Sequence, residues 1–272
     1  MPALTHSEMP EYAFDNDDPQ ATDRHSILAE VLDELSIARL TGLGDLTGRC
    51  CLELGAGGGS IAGWLAARTG PSGRVLATDL NTRHLRTNEG YEVLRHDLIE
   101  EPVPDGPWDV IHARLVLLHL PARREILHRL VAALAPGGAL VIEDFETTFL
   151  KSVLVAPTPE DAELVDTYHQ ALIGKVLPGH GNDPAWAGQV HAAMTGEGLV
   201  EVDTLVYARS WPGGSPGARL IAANIGQAWA DFLAAGMTEE QLQALDRLTA
   251  DPGLVVRTPL TYSTIGRRPP RA

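Results

Sequence analysis

Cys51-Leu52-Glu53-Leu54-Gly55-Ala56-Gly57-Gly58-Gly59-Ser60 sets a short apolar run against a turn of glycines. Cys51 to Leu54 read as a buried strand, and Ser60 to Arg68 as the helix that follows. Between them the glycines form a turn where backbone can approach a ligand without interference from Cβ atoms. A second apolar run, Val75-Leu76-Ala77-Thr78, ends at Asp79, twenty positions past Gly59. A carboxylate there can accept both hydroxyl protons of a ribose. Strand, glycine turn, helix, strand and acid, in that order, predict a site for a cofactor that carries adenosine.

Two cofactors compete for this turn. Gly57-Gly58-Gly59-Ser60-Ile61-Ala62 can be read as a G-x-G-x-x-A dinucleotide fingerprint, with pyrophosphate on the helix N-terminus. Glu53 argues the other way. A carboxylate at the strand tip repels a pyrophosphate but suits the ammonium and sulfonium of S-adenosylmethionine. The chain has only two lysines, Lys151 and Lys175, and lacks the Tyr-x-x-x-Lys pair that many nicotinamide enzymes use. The methyl donor is favoured, and an NAD-dependent oxidoreductase is the alternative.

A length of 272 residues with 44% hydrophobic content allows one α/β domain with a full core, and no break in composition marks a second. The expected division is an N-terminal arm and helix over 1–45, a cofactor-binding core over 46–150, and acceptor-site helices with the last two strands over 151–272. The formal charge of −15 argues against a phosphate-backbone partner or an anionic membrane surface. A small molecule is the expected partner, with a homodimer possible. Cys50 and Cys51 are adjacent and give neither a long-range disulfide nor a metal-ligand spacing. With no basic-then-apolar leader and no long apolar run, the expectation is a soluble cytoplasmic protein.

Past an acidic arm, Asp18-Pro19 announces a helix whose buried stripe is Ile27, Leu28, Val31, Leu32, Leu35 and Ile37. Strands are then expected at 49–54, 74–79, 91–97 and 108–113, with helices at 60–68, 82–88 and 121–134. A fifth strand, Ala139 to Glu143, follows a tight turn at Pro136-Gly137-Gly138. Such alternation means a parallel sheet with crossover helices, and a ligand crevice at the carboxyl ends of its strands. Thr158-Pro159, Asp183-Pro184, Ser215-Pro216 and the Thr238 to Gln241 box announce four later helices. Leu199 to Arg209 and Leu260 to Arg267 alternate as strands six and seven.

With these residues placed, the chain resembles the class I S-adenosylmethionine-dependent methyltransferases, in particular small-molecule enzymes of the ubiquinone-biosynthesis-like and antibiotic-tailoring kind. Leu52 to Gly59 looks like the family's first motif, Ala77-Thr78-Asp79 like the second, and Arg95-His96-Asp97 like the third. Trp108 to Arg114 with Leu118-His119 is similar to the fourth, and Leu134 to Gly138 to the turn before strand five. The resemblance implies a Rossmann-like, mostly parallel seven-stranded sheet with strand seven antiparallel beside strand five. Helices would cover both faces, with extra N-terminal and lid helices.

It also implies roles. Gly55, Ala56 and Gly57 would contact the methionine part of the cofactor, Glu53 would order that turn and the amino group, and Asp79 would hold the ribose. Asp97 would accept from the adenine amino group, with Leu80 and Leu98 beside the two carboxylates in the same pocket. Ala113 and Arg114 would lie under the methionine moiety, and Tyr12 and Arg24 would close the pocket and hold its carboxylate. Metal-dependent catechol methyltransferases carry a compact acidic set near strands four and five. Asp144 lacks such partners here, so no metal is expected.

Methyl transfer from a sulfonium is an in-line displacement, and holding the reacting atoms in line supplies most of the acceleration. A base is needed only for a protonated acceptor, and histidine is the natural candidate. His119 is the first choice and His112 the second, with Asp144 placed to face the acceptor or orient a histidine. A helix-start histidine bonded to backbone is the competing reading of His119. Tyr168, His169 and Asn224 are candidate acceptor contacts on the later helices. Trp186, Trp211, Trp229 and Phe232 fit an apolar pocket or plain core packing. The expected reaction is methyl transfer to a small natural-product or secondary-metabolite acceptor. A protein that binds the cofactor without methyl transfer, such as a cyclase or regulator, is the other reading of the same motifs.

Overall fold

The computed structural model describes residues 21–149 and 151–271, so Tyr12 lies outside the described residues. Its first half runs α1 (Ala21–Thr41), β1 (Cys50–Leu54), α2 (Ser60–Thr69), β2 (Arg74–Asp79), β3 (Glu92–Arg95), β4 (Trp108–Arg114), α3 (Arg123–Ala133) and β5 (Leu134–Glu146). β6 (Val153–Val155) follows, then a helical stretch from α4 (Pro159–Ala171) through a π-helical turn (Leu172–Val176) to α5 (Leu177–Gly179). The chain continues through α6 (Trp186–Gly196), β7 (Val200–Tyr207), β8 (Ser210–Pro212), α7 (Pro216–Gln227), α8 (Trp229–Ala234), α9 (Glu239–Leu248), β9 (Val255–Arg257) and β10 (Leu260–Arg267).

Seven strands form one sheet in the order β3-β2-β1-β4-β5-β10-β7. β1 to β5 pair in parallel, while β10 runs antiparallel to both β5 and β7. This is the expected Rossmann-like sheet. Strand seven of the sequence reading is β10, inserted between β5 and β7.

The period-two geometry of strands sends alternate side chains to opposite faces. Leu52, Leu54, Ile111, Ala113, Leu140 and Ile142 meet α3 and α6 on one face. Cys51, Val75, Val110 and Val141 meet α2 and the end of α1 on the other. A separate apolar tier is built by α4, α7, α8 and α9 around Val165, Tyr168, Ile221, Phe232, Leu242 and Leu245. α1 belongs to both, since Ile27, Val31 and Leu32 pack in the tier and Leu40 under the sheet. Among the described residues no helix is long and apolar enough to cross a membrane.

Several local expectations are revised. The Pro136-Gly137-Gly138 turn is a bulge inside β5, because Leu134 pairs with Trp108 and Ala139 already pairs with Val110. The helix expected over 82–88 is a single 3₁₀ turn, Thr82–His84, capped by Asn81 Oδ1 on the Arg83 amide. Thr158 and Thr238 cap their helices through side-chain oxygens, and Gln241 completes the box. Ser215 instead turns its hydroxyl back to the Pro212 carbonyl, while Asp183 Oδ1 accepts from the Ala185 amide at 3.0 Å, one residue ahead of α6. A second, three-stranded sheet in the order β6-β9-β8 was not foreseen.

Candidate active site

A cleft of about 1230 Å³ opens over the carboxyl ends of the parallel strands, where ligands bind in open α/β sheets. Its floor is the glycine turn. Gly59 has φ +81°, and a Cβ there would stand 2.5 Å from the Tyr91 hydroxyl; a Cβ on Gly55, at φ +60°, would stand 2.5 Å from Val116 Cγ2. The turn therefore tolerates only glycine at these positions. Asp79 locks it from the side, with Oδ2 accepting from the Gly57 amide at 2.9 Å and Oδ1 from the Asn81 amide at 3.0 Å. Burial raises the Asp79 pKa, and the amide donors of Asn81 and Gly57 oppose that rise.

Gly55, Ala56, Gly57, Asp79, Leu80, Asp97, Leu98, Arg114 and Arg24 all line this cleft, as does His119. Asp97 Oδ1 accepts from the Ile99 amide at 2.8 Å, which fixes the carboxylate on the cleft wall. Glu53 and Ala113 stay below the lining, buried at the strand ends.

Glu53 belongs to a buried polar row that continues the apolar row Cys51, Val110 and Val141 on the same sheet face. Its Oε2 lies 2.7 Å from His112 Nδ1, and His112 Nε2 lies 3.2 Å from Glu143 Oε2. Glu143 also accepts from Ser263 Oγ at 2.7 Å and from Ser36 Oγ on α1. Burial would favour a neutral His112 ring, but the two carboxylates outweigh it and raise the pKa to about 9. Burial likewise works against Glu143, which the His112 imidazolium nevertheless brings down to about 2. His112 is thus a buried cation outside the cleft, with both nitrogens engaged.

His119 ends a 3₁₀ turn, Leu117–His119, on the cleft wall. Asn182 Nδ2 lies 3.2 Å from its Nδ1. Burial, with the guanidinium groups of Arg24 and Arg123, lowers its pKa to about 3, so the ring is neutral at pH 7. Arg123 bonds the Gly181 carbonyl at 2.8 Å and the Leu117 carbonyl at 3.2 Å, joining the two loops that carry His119 and Asn182. Arg24 is buried, and its Nε donates to Asn224 Oδ1 at 3.1 Å.

Tyr168, His169 and Asn224 do not line the cleft. Asn224 Nδ2 donates to the Tyr168 hydroxyl at 3.1 Å, so the pair backs Arg24 from the apolar tier. His169 Nδ1 is taken up by the Val165 carbonyl and the Ser152 hydroxyl. Trp186, Trp211 and Phe232 are buried core residues, and Trp229 packs against the tier core. The apolar faces of α4, α7 and α8 are spent on one another, and among the described residues beyond β5 it is His180, past α5, that lines the cleft. Asp144 points to the opposite sheet face from Glu143. Burial raises its carboxyl to about 7, against the opposing pull of the Val116 and Leu118 amides and the Trp186 indole N–H beside it.

The sequence reading did not select His25, His84, Leu115 or Val116, all of which line the cleft. His25 stands edge-on to His84 with ring centroids 5.1 Å apart. Each neighbours a residue already singled out, His25 beside Arg24 and His84 just past the tip of β2. Leu115, at φ +55°, is a strained non-glycine residue on the cleft wall, and nothing in its sequence context announced that. Among the described residues no group of three or more His, Cys, Asp or Glu side chains is arranged to hold a metal.

A family model described as a methyltransferase domain matches residues 21–257. Methyltransferase str2 of Strobilurus tenacellus is 42% identical over 100 residues, which are 35% of this chain and 35% of that protein. Methyltransferase GfsG of Streptomyces halstedii is 28% identical over 145 residues, 47% of this chain and 52% of that protein. The chain thus spans about a third to a half of the length of these curated relatives. A solved structure of a candidate methyltransferase from Bacillus halodurans C-125 shares the fold, with TM-score 0.54 and 16% identity over 85% of this chain and 98% of that one. With a match over most of its length and a glycine turn at the centre of a sheet of this order, the chain belongs to the methyltransferase-domain family.

Proposed function

We propose that this protein transfers a methyl group from S-adenosylmethionine to a small-molecule acceptor, a natural product or secondary metabolite. The observation that carries the reading is the pairing of Asp79 with the Gly57 amide at the cleft floor. It presents a carboxylate and a Cβ-free turn to the same space, which suits a ribose beside an amino-acid moiety. Those residues fit the donor. Gly55, Ala56 and Gly57 would hold its methionine part, Asp79 its ribose, Asp97 with Leu80 and Leu98 its adenine, and Arg24 or Arg114 its carboxylate.

When bound, the donor supplies an electrophilic methyl carbon on a sulfonium; the rest falls to the protein. Leu28, Leu115, Val116 and Leu120 give the acceptor end of the cleft an apolar wall, which excludes water from the reacting atoms. His119 is the one histidine of the predicted catalytic pair that lines the cleft. Its low basicity makes it a positioning contact for the acceptor more than a proton sink. An acceptor that enters already ionised, as a phenolate or enolate, needs nothing more. His112 and Asp144 stand outside the cleft and take no part in proton transfer in this reading.

Titration of the purified protein with S-adenosylhomocysteine, with NADH as control, tests the donor assignment. Binding of the first alone supports it, and binding of NADH alone overturns it. With an acceptor in hand, His119→Ala should lower kcat by about 10–100-fold with little change in donor affinity, and His119→Gln, which can still hydrogen-bond, should recover part of the loss. An unaltered kcat in His119→Ala would leave positioning to other groups.

A further inference from the structure

The polar row beneath the cleft does not stop at the sheet. Ser36, which bonds Glu143, also accepts from Arg114 Nη1 at 2.9 Å, and the same Nη1 meets Asp33 Oδ1 at 2.9 Å. Asp33 Oδ1 in turn accepts from Ser60 Oγ at 3.1 Å. The path leaves β1 at Glu53, two residues before Gly55, and crosses β4 at His112 and β5 at Glu143. It enters α1 at Ser36 and Asp33, and returns at Ser60, the first residue of α2 after the glycine turn. It therefore encloses that turn. The other half of α1 covers the cleft, since Arg24, His25, Leu28 and Ala29 line it and a Cβ on Gly57 would lie 3.5 Å from the His25 ring.

We propose that His112 is a positioning residue that seats the covering helix α1 and the glycine turn as one unit, through Glu143 and Ser36 on one side and Glu53 on the other. The proposal rests on the donor assignment above, because Glu53 and the turn matter only if the donor lies over them. A buried ion triad is a poor source of net stability compared with an apolar row of equal volume, and its best-attested use is to hold one register. Here the register is that of α1 on the sheet. The charged groups facing His112 are Glu53 on β1 and Glu143 on β5, with Arg114 at the end of β4 reached through Ser36 and Asp33 on α1 reached through Arg114. An empty cleft would keep α1 docked, and loss of the triad would free its covering half while the sheet stays intact.

The test is a double-mutant cycle read by titration with S-adenosylhomocysteine, with amide exchange of the same proteins. His112→Gln and Glu53→Gln should each weaken binding about tenfold, and the double variant should be no worse than either alone, because both break one path. Amides of residues 23–41 should exchange about tenfold faster in His112→Gln, with β1 and β4 unchanged. Ser36→Ala, which cuts the path at the helix and leaves the sheet charges in place, should show the same exchange signature and serves if His112→Gln does not fold. Unchanged affinity in His112→Gln, losses that add in the double variant, or unaltered α1 exchange overturns the proposal. If the parent protein binds no S-adenosylhomocysteine, the donor reading fails. The exchange of α1 in His112→Gln and Ser36→Ala then still decides whether the network seats the helix.

Discussion

Asp79 uses one oxygen for the Gly57 amide and the other for the Asn81 amide, so it shapes the turn and faces the cleft at once. Asp79→Ala is expected to cost about 1–3 kcal/mol of S-adenosylhomocysteine affinity, read by titration calorimetry. Undiminished affinity would remove the ribose assignment. His112 predicts a pH effect on stability. Its folded pKa, about 9, lies above the ordinary 6.5, so the stabilisation it brings is complete below 6.5 and is lost as pH rises through 9. Asp144 adds to the same trend at lower pH, because a carboxyl raised from 3.8 to about 7 binds more protons folded than unfolded, and stability falls between those values. Between pH 7 and 9 the melting midpoint should therefore drop, and His112→Gln should flatten that fall; below about pH 6.5 the neutral rings of His25, His119 and His169, lowered to about 4, 3 and 4, act in the opposite sense. A midpoint that does not fall between pH 7 and 9 would contradict the placement of His112. Asp79 could be read from the sequence because its place after a strand is a local pattern. The engagement of His112 could not, since its partners Glu53 and Glu143 come from two other strands, with Ser36 behind Glu143 from α1, and all meet only in the fold.

Elements whose signals are local came through the sequence reading with small shifts. β1, β2, β4 and β10 combine apolar runs with turn residues at their ends, and α9 carries its capping box in four consecutive residues, Thr238 to Gln241. Thr238→Ala should cost about 1 kcal/mol in a denaturant melt. A loss near zero would mean that the Gln241 side chain does not depend on its partner. At the glycine turn, Gly59→Ala sets a Cβ against the Tyr91 hydroxyl at a backbone angle alanine dislikes, so donor affinity should fall well before the melting midpoint does. The three strands β6, β8 and β9 were illegible for the opposite reason. Each is three residues long, and only pairing between Val153 and Val256, or Trp211 and Val256, defines it. The same holds for the later helices, whose periodicity showed an apolar face but not that the face turns to neighbouring helices in place of the cleft.

For the whole molecule, the two core regions divide the work: the sheet with its flanking helices presents the glycine turn, and the helical tier backs Arg24 on the cleft wall. α1 spans both. A ligand that binds only the folded cleft must stabilise all of it by mass action, so S-adenosylhomocysteine at about 100 times its Kd should add about 2.7 kcal/mol to unfolding, and NADH none. A thermal shift with NADH alone would reverse the cofactor assignment.

Both sheets place their latest strand in the interior: β10 lies between β5 and β7, and β9 between β6 and β8. Only residues 258–259 separate these two strands in sequence, so a single short stretch closes both sheets. During synthesis, β5 and β7 must wait with open edges, and β6 and β8 without a partner, until residues 255–267 have emerged from the ribosome. The nascent chain therefore carries its exposed strand edges until this stretch has emerged, and the arrival of β9 and β10, more than any earlier step, is the event that lets both sheets close.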